Sequence, residues 1–130
     1  MIERPTAKWR QRVLEQRQAV AAGTLSPDDA YAERLWPLEF TDAVDAALAD
    51  YEAEIAALRR PSDDDLFAAA ERVVLALNHA DREHARIETG EREQLCAYIE
   101  DVITHTGIDV PALCARRGDD REALTAGRDW

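Results

Sequence analysis

The chain has 130 residues, 46% apolar and 33% charged, a balance that fits a single domain (1–130) with its own core and excludes a disordered tail. No apolar run approaches the roughly 18 residues of a membrane span, and no apolar signal core follows the charged N-terminus; the expected compartment is the cytosol. Twenty-seven acids against sixteen bases give −11 at pH 7, a field that disfavours nucleic acid and anionic membrane and favours a partner protein with a basic surface.

The charge is unevenly placed. Residues 1–24 carry five bases and two acids, whereas residues 28–65 carry twelve acids and three bases. Fifteen of the sixteen bases are arginine, which together with abundant alanine reads as the codon bias of a GC-rich bacterial genome.

The spacing of Trp9, Val13 and Val20, with Leu14 beside them, predicts a first helix over about 6–22, stopped at Gly23. Its arginines flank that stripe, so docking this helix on the acidic body would neutralise both. Ser26, Pro27, Asp28 and Asp29 then form a helix start with a cap, a first-turn proline and dipole-matched acids. Pro37 ends that helix. These two helices make an N-terminal helical hairpin. Tyr31, Leu35, Trp36 and Leu38 read as a plug for one end of the core, with a partner-binding anchor at Trp36 as the alternative.

Over about 41–60, Val44, Leu48, Tyr51, Ile55 and Leu58 alternate by four and three, the period of a helix-packing seam. Asp42, Asp45, Asp50, Glu52 and Glu54 fall outside it and predict an acidic, low-relief outer face. Pro61 breaks the chain, and Ser62 restarts it with Asp63, Asp64 and Asp65 in the first turn.

The helix over about 63–81 has the widest apolar coverage in the chain. Leu66, Ala70, Val73, Val74 and Leu77 share one face, and Leu75 points the opposite way. This pattern predicts a central rod with Leu75 buried against a further neighbour and Glu71 paired beside it. Residues 78–89 read as the connection. A helix over about 90–106 follows, opened by Thr89, carrying Leu95, Tyr98, Ile99, Val102 and Ile103, and stopped by Gly107. Asp109 caps a short helix that Gly118 ends, and Ile108 and Leu113 have staple spacing. Residues 119–130 are expected to add a turn around Leu124 and then fray, with Trp130 folded back or loose.

The reading is therefore an all-α, single-domain bundle of five to six helices. Its core is an antiparallel trio (41–60, 63–81, 90–106), joined by the N-terminal hairpin. No phosphate loop, dinucleotide fingerprint, nucleophile elbow or paired-cysteine zinc motif is present, so no catalytic residue and no cofactor are expected. Cys96 and Cys114 are expected to be reduced, and their apolar settings make thiol catalysis with His105 a poor reading.

The expected function is protein–protein binding without catalysis. The concrete form is an antidote or immunity-type inhibitor of a basic partner, with Asp42, Asp45, Asp50, Glu52 and Trp36 as contact residues. The alternative is a metal-dependent enzyme or sensor built on the carboxylate–histidine pairs Asp81/His84 and Asp101/His105. Self-association through the Val44–Leu58 seam is a third possibility.

Overall fold

In the computed structural model, which describes residues 2–118 and 121–130, the chain is helical with no strand among those residues. Helix α1 spans Pro5–Ala21, with Pro5 at its first turn. Gly23, at φ +77°, turns the chain out of it. A 3-10 turn (Pro27–Asp29) and the four-residue α2 (Ala32–Leu35) follow. Then come α3 (Leu38–Ala57), α4 (Asp63–His84), α5 (Thr89–Thr104) and α6 (Val110–Arg116), and a final 3-10 turn (Arg121–Thr125).

Several starts and stops follow the local chemistry. At α4 the Ser62 hydroxyl accepts from the Asp65 N–H while the Asp65 carboxylate accepts from the Ser62 N–H, a reciprocal box. The other two aspartates of that turn take Arg116, the last residue of α6, and Arg117 just after it. Asp109 caps α6 by accepting from the Ala112 N–H at 3.1 Å.

Other boundaries differ from expectation. Ser26 accepts from the Asp28 N–H, but only a 3-10 turn follows, because Ala30 leaves helical geometry at ψ +79°. Helix α3 begins directly behind Pro37, three residues early, since proline itself serves as the flanking residue. Thr89 lies inside α5, and Glu88 before it makes no side-chain cap. Helix α4 continues through the expected connection to His84. It ends where Ala85 turns left-handed at φ +52°. The Asp81 carboxylate then accepts from the N–H groups of Arg86 and Ile87 at 3.1 and 2.8 Å, so the first part of the polar run is helix and the connection shrinks to residues 85–88.

Helices α3, α4 and α5 make the three-helix core, with α3 and α4 as its most extensive pair. The seam residues Val44, Leu48, Tyr51 and Ile55 are all buried in it. The Tyr51 hydroxyl donates to the Ile99 carbonyl at 2.6 Å, tying α3 to α5. The hub is α3, which packs on α1, α4 and α5.

That arrangement overturns the expectation for Leu75. It is 50% exposed, because α1 packs on α2, α3 and α5 rather than on the outer side of α4. Glu71 is exposed as well. Arg72, whose charge it adjoins in sequence, is ion-paired to Glu54 of α3 instead.

Of the tail expected to fray, Asp119 and Asp120 lie outside the described residues, and Arg121–Thr125 form the final 3-10 turn. Leu124 and Thr125 are buried, and Trp130 packs half-buried against the core. Both cysteines are outside any disulfide.

Candidate functional site

The acids singled out on α3 divide by side. Asp45 and Glu52 face α1, where Arg4 reaches both: Nη1 to Asp45 at 3.2 Å and Nε to Glu52 at 2.5 Å. The Thr6 hydroxyl adds a 2.6 Å bond to Asp45. Burial pushes the Asp45 carboxyl up, but the bonds from Thr6 and Arg4, and the Arg4 charge, outweigh it and hold it below the usual carboxylate range. Asp42 takes Arg10 at 2.6 Å. Only Asp50 of the four stands exposed without a hydrogen-bond or ion-pair partner among the described residues. The structure therefore spends Asp42, Asp45 and Glu52 on docking the basic α1.

Trp36 is also committed inside the chain. Its ring stacks on Trp9 at 5.8 Å between centroids, nearly parallel, and Trp9 stacks in turn on Phe40. Its indole N–H donates to the buried Glu91 at 3.3 Å. This aromatic stack closes one end of the core between α1, α3 and α5, which is the plug reading.

The metal candidates are not gathered. Asp81 caps the end of α4 as described, and His84 lies edge-on to Phe40 at 5.9 Å. Asp101 and His105 are exposed toward the end of α5. Among the described residues no three His, Cys, Asp or Glu side chains form a group able to hold a metal.

The exposed Leu75 sits alone. Of its helical neighbours, Glu71, Arg72 and His79 are exposed and of mixed charge, and Asn78 is buried. Scattered single leucines are normal on protein surfaces, so this face carries no site.

An apolar surface hollow lies between α1 and the α2–α3 corner. Leu14 sits about 140° around α1 from the buried Trp9 and is 56% exposed; Leu38, behind Pro37, is 61% exposed. They flank a hollow of about 180 Å³ whose walls include Val13, Trp36 and Thr41. A second hollow of about 350 Å³ continues it past Val20 and Pro27, sharing Val13, Arg17 and Glu33. Together they follow α1 from Arg10 to Val20, roughly 15 Å at 1.5 Å per residue.

The rim is charged but balanced. Arg10 pairs with Asp42, Arg17 with Glu33, and Arg34 donates to the Asp28 carbonyl at 3.0 Å. An apolar floor inside a polar rim is the anatomy of a protein contact. Sequence reasoning placed Leu14 with the core stripe and Leu38 in the plug. The available signal was the angle of Leu14, which lies off the Trp9–Val13–Val20 line.

No helix among the described residues is long and apolar enough to cross a membrane. In comparisons with known proteins, no family model, no curated protein and no solved structure matches this chain.

Proposed function

We propose that this chain is a non-enzymatic protein-binding module that takes a basic partner, seating an apolar segment of that partner in the α1–α2 groove. An antidote or immunity-type inhibitor of a basic protein is the concrete form of this reading. The observation that carries it is the pair of exposed leucines, Leu14 and Leu38, over a mainly apolar hollow that adjoins a second along α1. Charge chooses the partner. The groove's own ions are paired across its rim, so the field that steers encounter is that of the whole chain, −11.

The contact residues of this reading are Leu14, Leu38 and the groove walls. Asp50 remains an accessible acid for a basic partner, whereas Asp42, Asp45 and Glu52 have internal partners. The test is capture of host proteins on the immobilised chain and on its Leu14→Glu/Leu38→Glu variant. The expected result is a basic protein retained by the first, absent from the second, and released as salt rises. Identical capture by both would end the groove reading; release indifferent to salt would end the charge argument.

A further inference from the structure

The described end of the chain is held in a way the groove does not explain. Asn78, buried at the far end of α4, uses both ends of its amide on tail backbone: Nδ2 donates to the Gly127 carbonyl and Oδ1 accepts from the Asp129 N–H, each at 3.0 Å. A side-chain amide that pairs with the C=O and N–H of residues two apart grips main chain and leaves the gripped side chains unread. Gly127 passes close over α4 here, since a Cβ on it would meet the Val74 side chain at 3.9 Å.

The segment is also a wedge. The 3-10 turn Arg121–Thr125 packs on α4, α5 and α6, whereas α4 and α5 are not themselves among the principal helix pairs. Leu124, in this turn, is buried in the core. The Thr125 hydroxyl lies 3.7 Å from the Cys96 sulfur of α5. One feature works against closure: among the described residues the buried Trp130 indole N–H meets no acceptor, and opening would return that donor to water.

We propose that residues 121–130 are a strap that closes the cleft between α4 and α5 and opens as a unit while the rest of the bundle stays folded, with Asn78 as its clasp. Opening uncovers Val74 and Asn78 on α4 and Cys96 on α5. The attachment is the amide clasp with the buried Leu124 and Thr125 and the half-buried Ala123 and Trp130, all from one short terminal segment, against the extended apolar seam that joins α3 to α4.

Hydrogen exchange on the intact chain tests this without any variant. The amides of Ala126, Arg128 and Asp129, which hydrogen-bond to Ala123, Thr125 and Asn78, should exchange at least about tenfold faster than those of Val73–Leu77, with weak dependence on denaturant. In Asn78→Ala the strap amides should speed up by a further tenfold or so, equivalent to about 1.4 kcal/mol for the two hydrogen bonds lost, while α3 and the first turns of α4 keep their protection. The strap is refuted if its amides exchange with the rate and denaturant dependence of α4, because the segment would then open only with the whole fold. It is equally refuted if Asn78→Ala folds and leaves the strap amides unchanged.

Discussion

Arg4 sits before the first turn of α1 and holds two carboxylates of α3, while Thr6 satisfies the second oxygen of Asp45. Folding lowers the Asp45 pKa, so the unfolded chain binds more protons than the folded one and stability rises with pH across that window. The contribution is fully present above about pH 4, the ordinary aspartate range, and is lost as pH falls through the depressed folded value. Trp9, buried beneath the same helix, reports it. Its fluorescence in the wild type should show α1 loosening on acidification from pH 5 to below about 3, and Asp45→Asn should remove most of that pH dependence. At the core, Tyr51→Phe removes the 2.6 Å bond to the Ile99 carbonyl. Urea unfolding should show a loss of about 1 kcal/mol, the usual worth of a buried neutral hydrogen bond.

Among the elements, α4 depends most visibly on its start. Ser62→Ala breaks the reciprocal box with Asp65 and should cost about 1 kcal/mol in thermal or urea unfolding. Helix α1 has the opposite character. Its buried residues are few, Pro5, Thr6 and Trp9, so much of its attachment is ionic and its remaining apolar surface lines the groove. Leu14→Glu with Leu38→Glu should therefore change stability by no more than about 0.5 kcal/mol, as for exposed positions generally, while abolishing partner capture. A large stability loss in a melt would instead place both leucines in the core.

For the whole molecule, the Val44–Ile55 seam is consumed between α3 and its neighbours, and the chain carries −11. Light scattering should find a monomer, since little apolar surface outside the groove is left to pair and like charge opposes association. A dimer that Leu38→Glu disrupts would make a second copy the occupant of the groove. The helical class, the capped starts of α4 and α6, and the burial of the Val44–Ile55 and Leu95–Ile103 stripes were legible in the sequence. Each rests on local backbone chemistry or on side-chain period, and neither needs a neighbour to be identified. Leu75 was not legible: periodicity says which way a side chain points, and only the packing of α1 onto α3 and α5 says that nothing lies there. That the basic first helix would dock on the acidic body was legible from charge; which acids take it was not, because Arg4 and Arg10 are distant in sequence and meet Asp45, Glu52 and Asp42 only in the fold. The sequence by itself thus determined the helices, their caps and the overall charge, which are local or additive properties. Tertiary structure alone decided which charges are spent, that Leu14 and Leu38 border a groove, and that Asn78 clasps the tail, since each depends on segments that long-range packing brings together.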